Sequence, residues 1–303
     1  MKNTSTRKNR IGQTFGDNVV DVVFHIILIF LTILVAYPII YIISASFSST
    51  EAVMSGSVVF WPVEPSVLAY EVVLRNPNIG RGFINSLIYT TLGTAVILVV
   101  TMLTAFCLSR KDFYGKGVVS FLVIFTMFFH GGMIPTYLLV RNLGMLNSVW
   151  AMVLPNAMNA WFIILTRTYL QSSIPEELYE SAELDGCSVF RTLWNITLPL
   201  SGPILAVIAL FSAVGIWNGF FDAFLFLTRS HLQPLQIVLR DILLLHRMDA
   251  TMVGDVRDLA MRQGLSFLLR YAVIVVSSVP LIMLYPFIQR YFIKGIMIGS
   301  LKG

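Results

Sequence analysis

Ile174-Pro175-Glu176-Glu177-Leu178-Tyr179-Glu180-Ser181-Ala182-Glu183-Leu184-Asp185-Gly186 lies between two charge-free apolar stretches and is followed, nine residues on, by Ile196-Thr197-Leu198-Pro199. Pro175 opens a helix, because the first turn needs no backbone donor. Glu176, Glu177 and Glu180 then sit near the positive end of the helix dipole. Gly186 supplies a stop or sharp bend, since it accepts positive φ without a Cβ penalty. A second short helix over about 188–197 places Phe190, Leu193 and Trp194 close together, and Pro199 and Pro203 precede the next apolar run. The segment 175–199 therefore reads as a helix–glycine–helix element with an acidic face and an apolar face. An amphipathic helix lying on a membrane surface is the plainer alternative, but such helices carry Lys and Arg on their polar face, and this one is acidic.

What surrounds this element is membrane-like. Of 303 residues, 56% are apolar and only 12% charged, against roughly 25% charged in soluble domains. A helix crossing the hydrocarbon core needs about 20 mostly apolar residues. Six stretches qualify, at about 22–44, 86–108, 118–140, 149–170, 203–227 and 270–290. The expected fold is an all-α membrane protein, a single transmembrane domain over 1–303 with 175–199 outside the lipid. Pro38, Pro280 and Pro286 fall in the outer two spans, where prolines are tolerated as kinks.

Orientation follows the distribution of Lys and Arg at span ends. The short segment 109–117 carries Arg110, Lys111 and Lys116, whereas 141–148 on the opposite side carries only Arg141. With the amino terminus inside, the inner segments hold 12 of the 21 basic residues. Both termini and the 175–199 element are then cytoplasmic. The formal charge of +5 fits basic inner loops and does not point to nucleic acid. Ser44-Ala45-Ser46 resembles a signal-peptidase site, but 22–43 is longer than an h-region of roughly 7–15 residues, so a retained span is expected. The stretch 45–85 reads as an outer segment with turns at Trp61-Pro62, Pro65 and Asn76-Pro77. The stretch 228–269 reads as an outer loop with one or two amphipathic helices.

The spacing Glu180-Ser181-Ala182, three residues, Gly186, nine residues, Ile196-Thr197-Leu198-Pro199 resembles the "EAA" loop of ABC importer permeases. That motif reads Glu-Ala-Ala, three residues, Gly, nine residues, Ile, any residue, Leu-Pro, and Ser181 is the only departure. The wider stretch 180–203 looks like the type I (MetI-like/MalG-type) carbohydrate-uptake permeases. The tail from Tyr285-Pro286-Phe287 to Lys302-Gly303 is similar to their LplC/YtcP-like branch. The resemblance implies a type I permease fold in a bacterial inner membrane, one of two homologous permease subunits on two ATP-binding subunits, fed by an extracytoplasmic solute-binding protein. It implies an oligosaccharide solute, with pectin- or alginate-derived ones suggested by the branch. It implies that Glu180, Ser181, Ala182, Asp185, Gly186, Phe190, Ile196, Leu198 and Pro199 couple the spans to the ATPases, and that the tail 292–303 reaches them. ATP and Mg would then be bound by the partners and no cofactor by this chain. No GxxxxGK[ST] phosphate loop is present. Cys107 and Cys187 have no metal-ligand spacing.

Four further residues are candidates for a solute path: Trp217, Asn218, Phe221 and Asp222. On one continuous helix Asn218 and Asp222 share a face, among aromatic rings suited to the apolar faces of sugars. An ionisable residue inside a membrane faces a cavity or a partner, although an interfacial Asp222 in water is the plainer reading. His130 precedes Gly131-Gly132 and Pro135, at an expected irregular turn. Asn156 and Asn159 read as residues bonding across helices, and Asn85 as a helix cap. An ion-coupled secondary transporter is the rival function, but it should show inverted repeats and leaves the 180–199 spacing unexplained.

Overall fold

The computed structural model describes residues 15–249, 264, 267–283 and 286. These residues are helical wherever they are regular; no strand occurs among them. Of the described residues, 15–71, 264 and 267–275 belong to one compact unit, and 72–249, 276–283 and 286 to another.

The first unit is led by α1, Phe15–Ser46, whose most apolar window within Val19–Ser46 has a mean hydropathy of 2.8 and no buried residue. Such a surface, apolar on every side, is what lipid requires. The small residues that end α1 have a packing reason. Ser44, Ala45, Ser46 and Ser48 are buried. Ser44 Oγ donates to Phe60 O at 2.6 Å, Ser48 Oγ accepts from Val63 N at 3.1 Å, and Ser46 shares a 2.7 Å bond with the Tyr70 hydroxyl. The next helix, α2 (Thr50–Met54), is capped by Ser49. The third, α3 (Leu68–Arg75), carries the chain into the second unit.

The second unit is organised by α4, Pro77–Ser109. Asn76 caps it through Asn78 N at 3.0 Å, and Pro77 occupies a first turn that needs no donor. The helix therefore begins nine residues before the expected 86, and Asn85 is no cap. Asn85 Nδ2 instead donates to His231 O and Gln233 O at 2.9 and 3.0 Å. Small residues let neighbours approach α4: a Cβ on Gly93 would stand 2.7 Å from Ile216 Cδ1. Following α4 come α5 (Lys116–Phe128), α6 (Met133–Asn142), α7 (Val149–Val153), α8 (Ala160–Ser173) and α9 (Glu176–Leu184). Next are α10 (Val189–Thr192), a π-helical turn (Leu193–Thr197), α11 (Leu198–Leu200), α12 (Gly202–Asn218), α13 (Phe221–Phe226), a 3₁₀ turn (Ser230–Leu232) and α14 (Leu235–Asp249). The last described helix, α15, is Phe267–Met283. α8, α12 and α14 pack on α4.

Three of the six expected spans are not single helices. The 118–140 stretch breaks between α5 and α6, which meet at 115°. Phe129 is extended there, and Gly132 has φ 87°. The 149–170 stretch breaks at 154–159 around Pro155, and 203–227 breaks after Asn218 at Gly219. Among the described residues, α1 and α4 are long and apolar enough to cross a membrane. The count rises to four if α5–α6 and the 78° pair Val189–Leu200 plus Gly202–Asn218 are each one bent span. Of the expected span 270–290, residues 284–285 and 287–290 lie outside the described residues, as does the tail 292–303.

Candidate functional site

The element 175–199 folds as a helix, a glycine bend and a second helical piece. Pro175 precedes α9, with Glu176 and Glu177 in its first turn. The end of α9 is a Schellman motif: Gly186 N donates to Glu183 O at 3.0 Å and Cys187 N to Ala182 O at 2.9 Å. That closure requires a left-handed residue, and Gly186 has φ 73°. Ser188 then caps α10 through Arg191 N at 3.4 Å. The chain widens into the π turn just before Pro199, which has no N–H to continue an α ladder.

Inward, Tyr179 and Ala182 of α9 are buried, spaced as one helix face. Tyr179 joins Phe106, Leu108, Leu170, Ile174 and Leu193 in one apolar cluster. Burial raises the Tyr179 phenol pKa above its ordinary value, against a smaller opposing effect of its bond with Thr197 and of the Arg110 charge. Outward, Glu180, Ser181, Asp185, Gly186, Phe190 and Pro199 are exposed, while Ile196 and Leu198 are half-buried. Leu193 turns inward, away from Phe190 and Trp194. The exposed face is strongly apolar, with Leu184 90%, Val189 68%, Phe190 71% and Trp194 63% exposed. Patches of this kind mark interaction surfaces.

Arg110 holds this element to the end of α4 and goes unrecognised in the sequence, where it counts only as a basic charge. It caps α4. Its guanidinium pairs with Glu183 of α9 through Nη2 and with Asp112 through Nε at 3.1 Å. The same group lies 4.6 Å over the Tyr179 ring. Lys111 Nζ reaches Glu176 Oε2 at 3.0 Å. A hollow of about 460 Å³ lies beside the first turn of α9, lined by Arg110, Gln171, Glu176 and Tyr179 among others. The polar ties therefore add to the apolar packing of Tyr179 in joining α9 to the end of α4.

A second site opens where two helices are interrupted. A cavity of about 280 Å³ is lined by residues of the 154–159 break (Asn156, Met158, Asn159), by Gly219 and Asp222 beside the second break, and by Phe162, Phe211 and Ser212. Irregular backbone at membrane depth is tolerated where it lines a cavity or is buried in protein. Asn156 Nδ2 donates to Asp222 Oδ2 at 2.6 Å, and Asn159 caps α8 through Phe162 N at 3.2 Å. Of the four path candidates only Asp222 lines this cavity. Asn218 ends α12 and Asp222 lies in the first turn of α13, so the two share no helical face. Trp217 is buried, its Nε1 donating to Ser277 O at 3.0 Å and its ring set edge-on to Phe83. Phe221 is half exposed, away from the cavity lining. Asn156 and Asn159 line the cavity beside Asp222. The signal for them is Pro155-Asn156 and Asn159 interrupting an otherwise apolar stretch. Among the described residues no three His, Cys, Asp or Glu side chains are grouped to hold a metal ion.

Residues 66–298 match the family described as "Binding-protein-dependent transport system inner membrane component". Protein LplC of Bacillus subtilis (strain 168) is 42% identical over 88% of this chain and 89% of its own length. The polygalacturonan/rhamnogalacturonan transport system permease protein YtcP of the same organism is 39% identical over 93% and 98%. A chain in the crystal structure of a bacterial ABC transporter involved in the import of the acidic polysaccharide alginate superposes with a TM-score of 0.83 at 32% identity. That match covers 92% of this chain and 98% of the other. The long apolar helices, the helix–glycine–helix loop and these matches agree: the chain belongs to the inner membrane components of binding-protein-dependent ABC transport systems.

Proposed function

We propose that this chain forms half of the translocation path for an oligosaccharide and couples it to ATP hydrolysis through the 175–199 element. The supporting observation is the Schellman-closed α9, presented as a stiff unit with an exposed apolar face around Glu180 and Phe190. A stiff unit transmits displacement, whereas a floppy loop absorbs it. A second homologous permease subunit, two ATP-binding subunits that hold ATP and Mg, and an extracytoplasmic solute-binding protein complete the importer. The chain itself is non-catalytic. Uronate-containing chains are the solute class suggested by the names of two relatives. Proteoliposomes holding the full importer, with the binding protein and a labelled rhamnogalacturonan oligosaccharide, which alternates neutral and acidic units, outside, test this. Uptake is expected only with ATP-Mg supplied to the ATPase side and is unchanged by a protonophore. Uptake driven by an ion gradient without ATP would establish the secondary-transporter reading instead.

In this reading six spans cross the membrane, with the bent α5–α6 and α7–α8 segments each counted as one, and both termini are cytoplasmic. The support is the basic cluster Arg110, Lys111 and Lys116 at one end of α4 and α5. A single thiol placed at Gly117 in a chain lacking Cys107 and Cys187 is expected to react with a membrane-impermeant reagent only from the cytoplasmic side. Labelling only from outside inverts the topology.

A further inference from the structure

We infer that the Asp222–Asn156 cavity seats a neutral sugar ring and rejects a uronate carboxylate. This rests on the importer reading and narrows it. The cavity's polar groups suit hydroxyls. The Asp222 carboxylate, bonded on one oxygen by Asn156 at 2.6 Å, keeps acceptor capacity for sugar O–H donors. The Ser212 residue is 4% exposed, lines the cavity, and its hydroxyl finds no partner among the described residues. Phe162 and Phe211 supply apolar wall, matching the C–H faces of a pyranose.

The charge argument gives the specificity. Among the described residues lining the cavity, none is Lys or Arg, and Asp222 is the one charged group. A carboxylate brought there meets a like charge with no cation to offset it, an arrangement that suppresses wrong partners. A chain mixing neutral and acidic residues would therefore place a neutral unit at this point, with its acidic units elsewhere on the path.

Galactotriose and trigalacturonate differ only at C6, hydroxymethyl against carboxylate, and so isolate this term. In the full importer without its binding protein, a lone thiol at Met158→Cys, with Cys107 and Cys187 replaced by serine, reports occupancy through its maleimide labelling rate. Galactotriose is expected to protect this thiol at concentrations about tenfold lower than trigalacturonate. Asp222→Asn should bring the two within about threefold of each other, chiefly by improving the acid. Equal or better protection by trigalacturonate in the unsubstituted background overturns the proposal, and so does protection by neither sugar. Neither result touches ATP-driven uptake, which tests the importer reading separately.

Discussion

Leucine at Gly186 is expected to cut ATP-driven uptake about tenfold while leaving membrane insertion intact. A non-glycine residue held left-handed costs roughly 1–2 kcal/mol, and every 1.4 kcal/mol is a factor of ten in the population of the native form. At φ 73° Gly186 carries that cost directly, and losing the conformation opens two backbone bonds of the Schellman closure. Among the described residues, none beyond the two chain neighbours has an atom within 4 Å of an added Cβ, so the penalty there is conformational, not steric. Asparagine visits the left-handed region far more readily, so Gly186→Asn should keep most uptake. Were Gly186→Asn as damaging as leucine, the limiting factor would be space against the ATPase surface. Glu180→Ala, at an exposed position of the same helix, should lower recovery of the ATP-binding subunits on co-purification. Normal recovery and normal uptake in both Gly186→Leu and Glu180→Ala would remove this element from the coupling mechanism.

Arg110→Met is expected to uncouple the importer: ATP-binding subunits still co-purify, but uptake per ATP hydrolysed falls several-fold. The substitution keeps an apolar stem and removes the fork that joins α4 to Glu183, Asp112 and the Tyr179 ring. Hydrogen bonds to charged groups contribute roughly 1.5–3 kcal/mol. Solvent screening of the 59% exposed Glu183 side chain reduces that to about 1–2 kcal/mol. Such a loss matters here because Glu183 is the α9 residue that Arg110 holds to the end of α4. Arg110→Lys should not restore coupling, since an ammonium cannot serve both carboxylates in a fixed plane. Glu183→Ala should be milder than Arg110→Met, because Asp112 and the ring remain. Unchanged transport stoichiometry in Arg110→Met would mean that the buried Tyr179 contact alone carries motion from α9 to α4.

The helix–glycine–helix element was legible because its signals are local. Proline at a helix start, acidic residues in a first turn, and glycine at a left-handed closure depend on a few neighbouring residues. The structure has Pro175, Glu176, Glu177 and Gly186 in those positions. α1 and α4 were legible for a related reason: a long apolar run suits a lipid-facing helix whatever it packs against. The broken stretches were not. Pro155, Gly132 and Gly219 are each tolerated in a continuous membrane helix, so hydropathy summed over 20 residues does not register them. Whether such a residue bends or breaks a helix depends on what satisfies the freed backbone groups.

By itself, the sequence determined the family, the helix–glycine–helix element around Gly186, and the apolar character of the long helices, all set by composition and short-range spacing. Only the tertiary structure decided that Asn218 and Asp222 belong to different helices, that Trp217 is buried against Phe83 and Ser277, and that Asn156 meets Asp222 across a cavity. It alone decided that Arg110 ties α4 to α9 across 73 residues of chain. The physical reason is the same in each case: a bond between residues distant in sequence is made by the packing of helices, and no periodicity within either helix encodes its partner.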